Sequence, residues 1–157
     1  MKSLQFARFL IPIFLLMLAQ PAYSQGTTHE VVLYVNTGEI QNPNVNDYCN
    51  FGQDPEIPNE EYTITTSVGD FVVWRGQSTS NPNDMVVIES INHEGDKGGR
   101  DIFGQNRLPG ENGVVTGRVL NGTENGVPYK YKLTFRILSN GEERGGVFNI
   151  DPKIIVR

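Results

Sequence analysis

The clearest pattern in the sequence is an alternation of apolar and polar residues near the C-terminus. From residue 129 to residue 137 every second residue is apolar: Tyr129, Tyr131, Leu133, Phe135 and Ile137. A period of two is typical of a β-strand with one buried face, because successive side chains leave a strand on opposite sides. We therefore predict a strand here. It is followed by turn residues at 139–146 and a second strand within 147–157, which together form a closing hairpin.

Shorter apolar runs of the same kind precede this hairpin. They predict strands at residues 29–36, 61–67, 71–74, 85–91 and 113–120. Polar stretches rich in glycine, asparagine and proline separate them, and no amphipathic helix is evident after the first 24 residues. Short strands divided by such turns predict an all-β fold, an antiparallel Greek-key β-sandwich of about seven or eight strands.

The first residues have the character of an export signal. Lys2 and Arg8 give a positive start, and residues 9–19 form an apolar run followed by small residues. We predict a signal peptide at residues 1–24 and a single domain at residues 25–157, in a secreted or periplasmic protein. A transmembrane anchor is the alternative, but the run is short and Pro12 and Pro21 disfavour a long helix, so we expect no membrane span after signal removal.

The charge of the remaining chain excludes some classes of partner. Without Lys2 and Arg8, 11 of the 13 basic residues remain against 18 acidic residues, a net charge of −7. Nucleic acids and anionic membranes require clustered lysine and arginine, so neither is an expected partner. Cys49 is the only cysteine and cannot form an internal disulfide. An exposed thiol, an intermolecular disulfide and a buried inert thiol all remain open for it.

Two segments resemble a known family. The sequence VGDFVVW at residues 68–74 resembles the VGDxVxW strand of the cupredoxins, the plastocyanin-like sandwiches. The sequence YKY at residues 129–131, with an apolar strand at the chain end, is similar to the YxY strand and the closing strand of that fold. The resemblance covers residues 61–156 and implies a cupredoxin-like β-sandwich.

The resemblance also implies where copper would bind, and those residues are missing. Cupredoxins hold type 1 copper through two histidines, a cysteine and a weak axial methionine. The loop at residues 80–84 has no histidine, and the strand at 129–137 has no cysteine, histidine or methionine. We therefore expect no type 1 copper site and no cofactor. The alternative is a copper-binding or other metal-binding redox protein that uses His29, Cys49 and His93, although their spacing matches no standard zinc pattern.

Other chemistry is weakly represented in the sequence. Acidic and amide residues at 42–47 and 94–101 could offer oxygens to calcium, without the spacing of an EF-hand. The sequence motifs of serine hydrolases, zinc metalloproteases and P-loop enzymes do not occur. Cys49 and His93 could form a nucleophile and base, but no flanking signature accompanies them. We expect that the protein is not an enzyme.

The prediction for function is a non-enzymatic binding or accessory module with an unknown protein or small-molecule partner. Loops at the ends of a sandwich can vary without disturbing the core, so we expect the contacts at residues 39–60 and 93–112. Four loop residues are of the types favoured at binding hot spots: Tyr48, Phe51, Arg100 and Arg107. Phe103, by contrast, is expected to plug one end of the sandwich.

Overall fold

The computed structural model describes residues 26–157, so the predicted signal peptide lies outside the described residues. These residues form ten β-strands and three short 3₁₀ helices, and the fold is all-β. The strands are β1 (Thr28–Val35), β2 (Cys49–Asn50), β3 (Thr63–Thr66), β4 (Phe71–Ser78), β5 (Asp84–His93), β6 (Arg107–Pro109), β7 (Val114–Arg118), β8 (Tyr129–Ser139), β9 (Glu142–Ile150) and β10 (Lys153–Val156). The 3₁₀ helices are Val45–Tyr48, Asn59–Glu61 and Gly95–Lys97.

The strands form two sheets. The first sheet has four strands in the order β2-β1-β4-β7. The second has six strands, with β3-β10-β8-β5-β6 in order and β9 also paired with β8. β9 and β10 follow one another along the same edge of β8, because Ile150 pairs with Leu133 and Lys153 pairs with Lys130.

Both sheets are mixed, so the prediction of a purely antiparallel fold is wrong. β1 runs parallel to β4, from Thr28 beside Phe71 to Val35 beside Ser78, and β3 runs parallel to β10. Parallel neighbours require a long crossover connection, and residues 36–70 provide it between β1 and β4. The strand count also exceeds the predicted seven or eight, because β2 and β6 have only two and three residues and are too short to show a period.

The predicted closing hairpin is confirmed in part: its turn is tighter than expected, and the second predicted strand is divided between β9 and β10 by Asp151 and Pro152. β8 and β9 are antiparallel, and only Asn140 and Gly141 lie between them. Their φ angles of 52° and 85° are the positive values that a two-residue hairpin turn requires. Residues 142–146, predicted to be turn, instead belong to β9.

The core lies between the two sheets and confirms the alternation in β8. All five alternating apolar residues of this strand are at most 1% exposed. Trp74 of β4 and Tyr131 of β8 meet in this core, where the indole Nε1–H donates to the tyrosine hydroxyl at 3.1 Å. Phe103 is 4% exposed and packs edge-on against Trp74, as expected for a residue that plugs the core.

Candidate functional site

The loop at residues 39–60 is folded around buried side chains of its own. Four of its residues belong to the hydrophobic core: Ile40, Val45, Cys49 and Phe51. β2 fastens the loop to the edge of the first sheet, where Cys49 pairs with Val35 of β1. The backbone N–H of Asn36 also donates to the carbonyl oxygen of Tyr48 at 2.8 Å. Packing and hydrogen bonds therefore hold this long loop in a defined conformation.

A buried asparagine organises the second half of the loop. Asn59 is only 5% exposed. Its Nδ2 donates to the carbonyl of Cys49 at 2.9 Å and to Oδ1 of Asn46 at 3.1 Å. Its own Oδ1 accepts from Nε2 of Gln53 at 2.9 Å. Because a buried amide is costly unless it is hydrogen-bonded, this network specifies one arrangement of residues 46–59.

The exposed tip of the loop is a tight turn formed by residues 54–57. The N–H of Ile57 donates to the carbonyl of Asp54 at 2.9 Å, and the N–H of Glu56 donates to Asp54 Oδ1 at 3.0 Å. Pro55 occupies the second position of the turn, where its fixed φ is favourable, and aspartate is favoured at the first position. The turn displays Glu56 beside Ile57, whose side chain is 43% exposed.

A polar recess of about 460 Å³ opens beside this turn. Side-chain amides and carboxylates supply much of its lining: Asn46, Asp47, Asn50, Gln53, Asp54 and Glu56. The sequence contains no lysine or arginine from residue 9 to residue 74, so the loop itself carries only negative charge. The recess therefore offers hydrogen-bonding groups in a negative potential.

Cys49 lies at the inner wall of the recess as a buried free thiol, which decides among the three alternatives for it. Its Sγ donates to the carbonyl of Val45 at 3.2 Å. Burial disfavours the thiolate and raises the pKa of Cys49 to about 12. The thiol is therefore protonated near neutral pH, which makes it a poor nucleophile and a poor metal ligand.

The structure separates the four predicted contact residues into different environments. Tyr48 is half-buried, and its hydroxyl accepts from Nε2 of Gln41 at 3.3 Å. The prediction for Phe51 is wrong: it is 7% exposed and stacks on Tyr62, with the ring centroids 4.5 Å apart.

The two predicted arginines are exposed, but they lie far along the chain from this loop. Arg100 forms an ion pair with Glu124 at 2.8 Å. Arg107 is in β6, at the edge of the second sheet. Neither arginine lines the recess beside the 54–57 turn.

The alternative metal site requires three residues that the fold does not bring together. His29 and Val35 are six positions apart on β1, and Cys49 is beside Val35, so His29 and Cys49 are separated by about 20 Å. His29 Nε2 is instead 2.7 Å from Oδ2 of Asp70. His93 stacks on Tyr129 in the second sheet, at a centroid distance of 4.8 Å. Within residues 26–157, no three His, Cys, Asp or Glu side chains are grouped so that they could hold a metal ion, at the proposed calcium loops or elsewhere.

The second sheet carries an apolar groove that the sequence pattern does not predict. Its floor is formed by Met85, Val87 and Leu138, on the face of β5 and β8 that points away from the core. The groove has a volume of about 560 Å³, and Met85 is 57% exposed. The run MVVIESI contained the signal, since Met85 and Val87 are apolar on the face where a half-buried strand is usually polar. We call this feature the outer groove.

Two arginines line the walls of the outer groove, and only one of them is ion-paired within residues 26–157. Arg136 of β8 lies 2.8 Å from a carboxylate oxygen of Glu89 and 2.8 Å from one of Glu143. Arg107 of β6 forms no ion pair with any carboxylate of the part of the chain that the structure describes. Its guanidinium group is therefore the cation that remains available at the groove.

Comparison with known proteins adds no family to this description. No protein-family model matches the chain, and no curated protein matches it. Over residues 26–157, no helix has the length and apolar character needed to cross a bilayer.

Proposed function

We propose that residues 25–157 act outside the cytoplasm, in the secreted or periplasmic compartment, as a non-enzymatic binding or accessory module. Its fold is a cupredoxin-like Greek-key β-sandwich without a type 1 copper site. Its partner is a protein or small molecule that contacts the 39–60 loop. The proposal combines the sequence resemblance with the packing of this loop.

Several local features support the cupredoxin-like part of the proposal. The residues Val68, Gly69 and Asp70 form a turn directly before β4, which carries the buried Trp74. Both tyrosines of the YKY segment lie on the buried face of β8. The final strand, β10, pairs with the start of β8. Side chains of both sheets enter one hydrophobic cluster, as is typical of a β-sandwich.

The observation that carries the functional part is the pre-organised turn at residues 54–57. Two hydrogen bonds and a proline fix its backbone, and Gln53 Nε2 also donates to the carbonyl of Ile57 at 3.2 Å. A surface that is already ordered loses little conformational entropy when a partner binds. The turn presents an exposed aliphatic side chain beside a carboxylate, which is a pattern suited to recognition.

The environments of Cys49 and His29 support a non-enzymatic role. A nucleophilic cysteine requires a lowered pKa, whereas burial raises the pKa of the Cys49 thiol. His29 is paired with Asp70, whose carboxylate also accepts from the backbone N–H groups of Thr27 and Ser67. This pair connects the start of β1 to the turn before β4, which gives it a structural role.

The proposal is tested by partner capture from the exported fraction of the source cells. The immobilised protein is compared with a turn variant that combines Glu56→Lys and Ile57→Ser. The matched control combines Glu142→Lys and Val68→Ser, which make the same charge reversal and a similar aliphatic-to-serine change at exposed positions outside the loop. We expect the turn variant to lose the captured partner and the control to retain it, with thermal unfolding unchanged in both.

Two results would contradict the proposal. Equal capture by the turn variant and the control would show that the loop is not the contact surface. Recovery of the native protein in the cytosolic fraction, with residues 1–24 still attached, would contradict export. The first result is read from the capture experiment, and the second from cell fractionation followed by immunoblot and N-terminal sequencing.

A further inference from the structure

The outer groove and the 54–57 turn have complementary chemistry. The groove combines an apolar floor with the available cation of Arg107, and the turn combines exposed Ile57 with the carboxylates of Asp54 and Glu56. An aliphatic side chain on the floor would remove apolar surface of Met85 from water. A carboxylate beside Arg107 would make a charge-assisted hydrogen bond at the rim of that contact.

The two features do not contact each other within one chain. The 39–60 loop is fastened at β2, which is the first strand of the first sheet. The groove lies across β8, β5 and β6 of the second sheet, on the face that points away from the core. The loop contacts the second sheet at β9 instead, where Asn42 Nδ2 donates to the carbonyl of Val147 at 3.3 Å, and no residue of the loop lines the groove.

We propose that the 54–57 turn of one copy of this protein docks in the outer groove of a second copy. Ile57 contacts Met85, Val87 and Leu138, and Glu56 pairs with Arg107. The inference rests on the proposed function, because it names a partner for the same loop. It commits to a second copy because the charge and the apolar surface of the two features match each other within one sequence.

The geometry of this contact determines the kind of assembly. A single turn–groove contact between two copies leaves the groove of the first copy and the turn of the second copy free. Repetition of this contact gives a chain or a closed ring, and a reciprocal pair of contacts gives a two-fold dimer. The contact is small, so the association is weak and reversible, and its ionic part weakens as salt concentration rises.

The test measures self-association of the purified protein by sedimentation equilibrium, from about 10 µM to about 1 mM, the range of weak affinities. We expect the average mass of the unmodified protein to rise with concentration. Arg107→Glu and the Glu56→Lys/Ile57→Ser variant should each weaken association by about tenfold or more, as for hot-spot residues. The controls Arg157→Glu and Glu142→Lys/Val68→Ser make matched changes elsewhere and should leave it unchanged.

A mixing experiment tests the head-to-tail geometry. Arg107→Glu keeps an intact turn, and Glu56→Lys/Ile57→Ser keeps an intact groove, so an equimolar mixture should form dimers that do not extend further. A chain that carries both Arg107→Glu and Glu56→Arg should recover self-association, because the charges are exchanged. Arg107→Gln, which removes the charge without reversing it, should give an intermediate loss and checks that the effect is not misfolding.

Several outcomes would overturn the inference. They are a monomer at every concentration, equal weakening by the control variants, or a mixture that remains monomeric. A monomer whose turn variant still loses the exported partner would leave the proposed function standing and reject the second copy as that partner. A turn variant that changes neither self-association nor capture would reject both proposals.

Discussion

Replacement of Tyr131 by phenylalanine isolates a single polar contact in the core. The Trp74 indole donates to the Tyr131 hydroxyl at 3.1 Å, and both side chains are fully buried. Tyr131→Phe keeps the aromatic ring and its edge-on packing against Trp74, with centroids 5.7 Å apart. It removes only the acceptor, so the indole N–H is left buried without a partner.

The expected loss follows from that unsatisfied donor. A buried donor without an acceptor costs about 1–3 kcal/mol, which is more than the net contribution of an ordinary hydrogen bond. For a domain of this size, a loss near the middle of that range lowers the midpoint of urea unfolding by about 1 M. Tyr48→Phe is the matched control, because that hydroxyl is at the surface, and its effect should remain within about 0.5 kcal/mol.

The assay is a double-mutant cycle with Trp74→Phe, followed by circular dichroism because Trp74 is the only tryptophan and its replacement removes the fluorescence signal. Once Trp74 is replaced, the hydroxyl of Tyr131 has no indole to accept from, so Tyr131→Phe should then have a much smaller effect. The coupling free energy should be about 1–2 kcal/mol. If Tyr131→Phe destabilises the protein no more than Tyr48→Phe does, the reasoning is refuted.

Three further predictions concern pH, close packing and thiol reactivity. The His29 imidazole, followed by backbone N–H groups, holds the pKa of Asp70 below its ordinary value. The Asp70 carboxylate therefore stabilises the fold above its unfolded pKa, and this contribution is lost as pH falls below about 4. Asp70→Asn should make the free energy of unfolding, measured by urea titration, fall less steeply at acid pH. Gly76→Ala should lower the free energy of unfolding by about 1–3 kcal/mol, because the new Cβ would lie 2.3 Å from Val86 Cγ1. Cys49 should react with a thiol reagent at pH 8 slowly in the folded protein and rapidly in urea, since burial raises its pKa to about 12.

Each of these predictions has a matched control. Asp96→Asn, at an exposed position, should leave the fall in unfolding free energy at acid pH unchanged. Gly122→Ala adds a methyl group where no other atom lies within 4 Å, so it should be nearly neutral. Three results would contradict these arguments. They are the same loss of unfolding free energy at acid pH in both aspartate variants, equal destabilisation by both glycine variants, and fast labelling of native Cys49.

Much of the strand framework could be predicted from local sequence. β8 was predicted from its alternation, and its five apolar residues do face the core. The hairpin that follows was predicted from Asn140 and Gly141, although turn chemistry alone did not fix its length. These features depend on residues close together in the chain, which is why a single sequence contains them.

The candidate site could be predicted only in outline. The polar composition of residues 39–60 predicts a loop, but it also predicts, wrongly, that Phe51 lies at the surface. Its neighbours Asn50, Gly52 and Gln53 are polar or small, and nothing local shows that Tyr62 covers its ring. The separation of His29, Cys49 and His93 could not be predicted for the same reason, since the distances between them depend on which strands pair.

The strand period, the polar loops, the negative charge of the first half of the chain and the lack of paired cysteines can all be read from local sequence. The tertiary structure decided which strands are parallel, where Cys49 and Phe51 are buried, and that Arg107 lies beside an apolar groove. The physical reason is that strand period and turn type follow from contacts within a few residues. Strand partners, burial and surface complementarity follow instead from contacts between residues far apart in the chain, and these are fixed only when the two sheets pack.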